Sequence, residues 1–74
     1  MRFPSREQVE RVRLAYPVGT KVECVSIDDP YVHIPSGTIG EVTDIDMTGT
    51  VFVKWSTGSA LGAVYGVDVI RRVD

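Results

Sequence analysis

A small all-β barrel of about five short strands, preceded by one helix, is the fold this sequence predicts, and three observations predict it. Residues 35–55, Pro-Ser-Gly-Thr-Ile-Gly-Glu-Val-Thr-Asp-Ile-Asp-Met-Thr-Gly-Thr-Val-Phe-Val-Lys-Trp, are two apolar-alternating arms around Asp46-Met47-Thr48-Gly49, the pattern of a β-hairpin. Further turn signals follow at Ser56-Thr57-Gly58 and Tyr65-Gly66-Val67-Asp68, each closing a short apolar run. Ahead of these, residues 5–16 carry the chain's one convincing helical period.

The helix is justified at both ends. Ser5 is a good N-cap and Gln8, three residues on, completes a capping box. Val9, Val12 and Tyr16 fall on one face, which is expected to dock on the barrel and close an open end or an apolar outer face, because three turns of helix are marginal without cover. Pro17 disfavours the α conformation at Tyr16, and Gly19 turns the chain.

Residues 21–27 are the first strand. Val22 and Cys24 alternate to one face and Val25 and Ile27 to the other, so both faces call for cover, the second from the helix. Cys24 reads as a small buried hydrophobe, since no flanking Lys, Arg or His would activate its thiol. Residues 28–35, Asp-Asp-Pro-Tyr-Val-His-Ile-Pro, have two prolines and two adjacent acids and make an irregular loop, the kind of segment that carries binding residues on a rigid barrel. Two readings of it stand: Asp28, Asp29, Tyr31 and His33 contact a ligand, or Tyr31 and Ile34 plug the barrel while the aspartates cap turns.

In the hairpin, Ile39 and Val42 are three apart, which breaks the period of two; Gly40 between them suggests a bulge or bend that would turn Ile39, Val42 and Ile45 all inward. On the return arm Val51, Val53 and Trp55 alternate with Thr50, Phe52 and Lys54, leaving Phe52 on the outer face to meet the helix or mark an interface. Residues 59–64 read as a fourth strand with Leu61 as its core residue, and residues 69–73 as the closing one.

At 74 residues the chain has room for one domain, spanning 1–74 with the helix at 5–16 and the barrel at 21–73. A chain this short buries only about 60% of its unfolded surface, so assembly into an oligomer would help it. Its single cysteine leaves no internal disulfide and no cysteine-rich zinc site, which fits a reducing cytosol. No apolar run near the start suggests a signal peptide or a membrane span, so a cytoplasmic location is expected.

The net charge of −2 hides a division. Residues 1–21 hold five cations against two acids, residues 22–53 hold six acids and no Lys or Arg, and residues 54–74 return to +1. An acidic barrel with a basic helical end disfavours general nucleic-acid binding, which needs concentrated positive charge to release phosphate counterions. Head-to-tail self-association, or an anionic ligand held at the basic end by Arg6, Arg13, Arg71 or Arg72, stays open.

Catalytic patterns are scarce. Gly58-Ser59-Ala60-Leu61-Gly62 lacks the spacing of a nucleophile elbow, and no P-loop occurs. His33 with Asp28 and Asp29 lacks metal-ligand spacing, and no base, nucleophile and oxyanion donor can be nominated together, so neither enzyme activity, metal nor cofactor is expected.

Lys-Val-Glu-Cys, then Pro-Ser-Gly-Thr-Ile-Gly-Glu-Val, then Val-Phe-Val-Lys-Trp-Ser-Thr-Gly resemble the strands and turns of SH3-like barrels. Pro4-Ser5-Arg6-Glu7-Gln8-Val9-Glu10, Tyr16-Pro17-x-Gly19-Thr20, Asp28-Asp29-Pro30-Tyr31 and the Gly-x-x-Gly-x-Val hairpin together make the chain similar to a small domain-of-unknown-function family of bacteria, phages and conjugative elements. It departs from that family at Ser56, where an acid is usual, and at Tyr65-Gly66, where Pro-Gly is frequent. The resemblance implies an SH3-like five-stranded barrel and brings no activity with it.

The expected function is therefore a non-enzymatic binding module, a protein-interaction or assembly domain of a phage or mobile-element accessory protein, with the 28–35 loop, Trp55 and Tyr65 lining a groove for a protein or peptide. The alternative is an oligomer that sequesters a small anionic ligand such as a nucleotide signal. Stacking of nucleic-acid bases on Tyr31, Phe52 and Trp55 is a third reading that the acidic barrel disfavours.

Overall fold

The structure, a computed structural model, describes residues 4–27 and 29–73. One helix, α1 (Arg6–Ala15), precedes five strands, β1 (Lys21–Ser26), β2 (Ile39–Ile45), β3 (Val51–Trp55), β4 (Ala60–Ala63) and β5 (Val69–Arg72). All neighbouring strands are antiparallel, in the order β4-β3-β2-β1-β5.

The connection between the two edge strands requires the sheet to curl. Laid flat, five strands would put β4 and β5 about 19 Å apart, four spacings of about 4.8 Å. Yet Ala63 and Val69 are joined by five residues, and these fold into a compact turn in which Val67 N and Asp68 N both donate to Val64 O. The sheet must bring its edges round towards each other, and a barrel-like fold results.

α1 starts and stops where its end residues dictate. Gln8 N donates to Ser5 Oγ (3.2 Å) and Ser5 N to Gln8 Oε1 (2.7 Å), so the capping box is complete. Tyr16, before Pro17, leaves the helical region at φ −130° and ψ 60°. Val9 is buried, while Val12 and Tyr16 pack on the barrel core. Tyr16 Oη donates to Ile70 O (3.4 Å) and Arg72 Nη1 to Ala15 O (3.2 Å), which ties the helix end to β5. The helix thus docks at an end of the barrel as its stripe predicts, but it does not blanket the second face of β1: Val25 is exposed. A register shift between Cys24 and Ser26 against β5 interrupts the alternation there.

The core is Val22, Cys24, Ile34, Val42, Ile45, Val51, Val53 and Trp55. The expected break in β2 exists, but it lies elsewhere and has another cause than Gly40. The bulge falls between Val42 and Asp44, so Val42 and Ile45, three apart, both turn inward. Ile39 faces out at 41% exposure. Gly40 faces in, opposite Trp55, and is glycine for lack of room: a Cβ there would overlap Val53 Cγ1 and stand 2.8 Å from Trp55 Cε3 and 3.0 Å from Lys54 O.

Two further differences concern β4. It is shorter than residues 59–64, and its buried side chain is Ala63, with Leu61 half-buried near the sheet edge. Phe52, on the outer face, lies over Gly62, where a Cβ would be 3.1 Å from the ring's Cδ1. The glycine across the strand pair gives the ring a floor.

Candidate functional site

The β1–β2 loop divides its residues between anchoring and display. Asp29 Oδ1 accepts from Tyr31 N (2.8 Å) and Val32 N (3.0 Å), an Asx-type turn that fixes the start of the loop. Ile34 is buried and its carbonyl accepts from Cys24 Sγ at 3.5 Å. Gly37 N donates to Cys24 O and Cys24 N donates to Thr38 O, so the far end of the loop is paired to β1. Tyr31 does not plug the barrel: it is 93% exposed, and His33 also faces solvent. Ile34 is the plug and Asp29 caps the turn, as the second reading has it, whereas Tyr31 and His33 stand outside the core. Asp28 lies outside the described residues.

Trp55 is 1% exposed and cannot line a groove. Its indole Nε1–H donates to Leu61 O (3.1 Å), which satisfies the one polar atom the burial would otherwise strand and pins β3 to β4. The recess opposite Gly40 receives the ring, so this tryptophan is a core residue.

Tyr65, by contrast, borders an opening. Val12 of α1 and Tyr16 at its C-cap, with Val51, Ala63, Val64, Tyr65 and Ile70, surround an apolar cleft of about 230 Å³ between the helix and the β4–β5 turn. Asp68, whose carboxylate accepts from Val64 N at 2.9 Å, holds that turn. The volume is below that of ordinary small-molecule sites, about 300–1,000 Å³, and suits one apolar side chain. Tyr65 is legible in the sequence as a surface residue, but Val12, Tyr16 and Ile70 are not legible as its companions, because a helical apolar stripe reads wholly as core.

The four arginines do not converge. Arg6 and Arg13 line a wider depression of about 550 Å³ on α1 together with Val9, Glu10 and Met47, the last 88% exposed at the β2–β3 tip. Arg6 pairs with Glu10 at 3.7 Å, an exposed i,i+4 contact of small energetic weight. Arg71 on β5 makes a two-point contact with Glu23 Oε1, from Nε at 3.0 Å and Nη2 at 2.6 Å, while Arg72 turns to the helix end. Two of the four cations are thus engaged in holding β5.

Two titrations are displaced by the fold. Burial, with the charge of Asp68 adding to it, pushes the Cys24 thiol up, so it stays protonated and unreactive at neutral pH. The Asp46 carboxyl is held down, chiefly by the Thr48 hydroxyl at 2.6 Å; burial opposes this, and Thr50 N and Thr48 N donate to the same oxygen at 3.0 and 2.9 Å. This is turn architecture: Asp46 closes the β2–β3 hairpin, where Gly49 takes φ +80°. Among the described residues no group of three or more His, Cys, Asp and Glu side chains is placed to hold a metal ion, and no helix is long and apolar enough to cross a membrane.

Comparison with known proteins adds one finding. The family profile described as "Domain of unknown function (DUF4314)" matches residues 5–73. No curated protein and no solved structure matches the chain.

Proposed function

The chain belongs to the DUF4314 family of domains of unknown function, and from that premise we propose that it is a non-enzymatic, SH3-like binding module whose partners are protein surfaces, a second copy of itself among them. The observation that carries this reading is the apolar cleft between α1 and the β4–β5 turn, bordered by the exposed Val64 and Tyr65. A cleft sized for one side chain, with apolar residues at its rim, fits a protein surface better than a soluble metabolite. Amide shift mapping by NMR tests it: Val12, Val64, Tyr65 and Ile70 should move with protein concentration or with a partner from the host. Unmoved shifts, with one monomeric species throughout, would end this reading.

A second reading is favoured by the depression on α1. Arg6 and Arg13 share it with Glu10, Val9 and Met47, which leaves one net positive charge in a volume suited to a small molecule, so an oligomer of phage or mobile-element origin that sequesters a small anionic ligand such as a nucleotide signal is the use it fits. Thermal shift with a panel of nucleotides distinguishes it: stabilisation should be lost in Arg6→Ala/Arg13→Ala, and no stabilisation by any of them counts against it. A single cysteine, which leaves no internal disulfide, supports a reducing compartment such as the cytoplasm for either role.

A further inference from the structure

The two edges of the sheet are treated differently. β5 ends in Arg71 and Arg72, the first tied to Glu23 and the second to the helix end, so this edge carries charge and has α1 beside it. Both are standard protections against pairing with another strand. Among the described residues β4, the opposite edge, is paired only with β3 and carries no charged residue, and α1 comes near it at Ala63, across the cleft. It sits in the longest run without Asp, Glu, Lys or Arg in the chain, residues 55–67, which also contains no proline. Exposed Phe52, Val64 and Tyr65 flank it, and Leu61 is half-buried beside the edge.

We infer that the β4 edge is a pairing surface for the β4 edge of a second copy, joined antiparallel about a two-fold axis. The inference rests on the assembly reading above and names its surface. Charge selects the occupant. The uncharged run is bracketed by Lys54, which pairs with Ala60 at the start of β4, and by Asp68, which holds the turn after its end. In an antiparallel self-pairing the start of one β4 meets the end of the other, so Lys54 of each copy is brought to the same end as Asp68 of the second copy. Opposite charges then meet at both ends, and no like charges face each other along the strand. A parallel pairing would set each bracket beside its own kind. A four-residue ladder supplies few hydrogen bonds, so the exposed Phe52, Val64 and Tyr65 must contribute the remaining contact, as apolar side chains beside an edge are placed to do.

The test is a charge-swap series on the full chain by sedimentation velocity, with circular dichroism to show that each variant folds. Ala60 and Val64 are both exposed, so substitution there spares the core. Ala60→Lys and Val64→Glu should each weaken dimerisation at least tenfold, and the double variant should recover most of it, because the introduced lysine of one copy then meets the introduced glutamate of the other. In the parent protein, amide hydrogen exchange of residues 60–63 should slow as concentration rises, while that of residues 69–72 should not. A monomeric parent would overturn the assembly reading and this inference together. An oligomer indifferent to both single changes, or one whose double variant is no better than the singles, would overturn this interface alone. Pairing of the β4 edge with an added extended peptide, in a parent that stays monomeric, would make the edge a peptide site and overturn the self-pairing.

Discussion

Gly40→Ala isolates the packing step on which the barrel's core depends. The new methyl group would overlap Val53 Cγ1 and stand 2.8 Å from Trp55 Cε3, and both of these side chains are almost wholly buried, so neither can swing away. The third neighbour, Lys54 O at 3.0 Å, is backbone and moves only if β3 moves. Overpacking of this kind costs about 1–3 kcal/mol. Alanine also restricts the unfolded chain, which returns about 0.4–1 kcal/mol because residue 40 is not in the left-handed region. The net loss should be about 1–2 kcal/mol, or roughly 4–16 °C in Tm for a domain of this size. Urea unfolding followed by far-UV circular dichroism measures it, with Val53→Ala as the second arm: removing the overlapped methyl should shrink the cost of the alanine, a coupling of about 0.5–2 kcal/mol. A Gly40→Ala protein as stable as the parent would refute the argument that glycine is there to admit Trp55.

Trp55→Phe should cost about 2 kcal/mol, from the lost indole contact with Leu61 O and the void left in the core, read as a lower urea midpoint. Because the folded Asp46 carboxyl titrates below its unfolded value, its contribution is fully present above the ordinary carboxylate range and is lost as pH falls through the folded value; the stability gap between the parent and Asp46→Ala should therefore narrow towards low pH, and a gap that is flat with pH would contradict the assigned bonds. Ser5→Ala should cost about 1 kcal/mol of stability by breaking the capping box, while Ser5→Asp should cost less; equal losses in thermal unfolding would contradict the cap.

Features governed by near neighbours were legible in the sequence. Ser5 and Gln8 cap a helix from three residues apart, Pro17 ends it, and the Asp46-to-Gly49 turn needs only its own side chain and a positive φ. What depended on distant partners was not. Gly40 has the same appearance in sequence whether it bends a strand or admits a ring, and only the pairing with Trp55 decides between them. The three-residue spacing that marks the bulge occurs twice, as Ile39 to Val42 and as Val42 to Ile45, and periodicity cannot say which one carries it. Trp55 and Tyr31 are both plausible in a groove by residue type, yet one is core and the other solvent-facing, because exposure is set by what packs above a residue. The uncharged run at residues 55–67 is visible in the sequence, but it becomes an unprotected edge only once the strand order puts β4 outermost.

The central proposal, that this small domain works by binding and that a second copy is one of its partners, is tested most directly by the mass of the native species as concentration rises. For a chain of 8.1 kDa, self-pairing predicts a concentration-dependent shift from monomer to dimer or a larger even-numbered assembly in native mass spectrometry. A single 8.1 kDa species at every concentration, in protein taken from its own host, would contradict it.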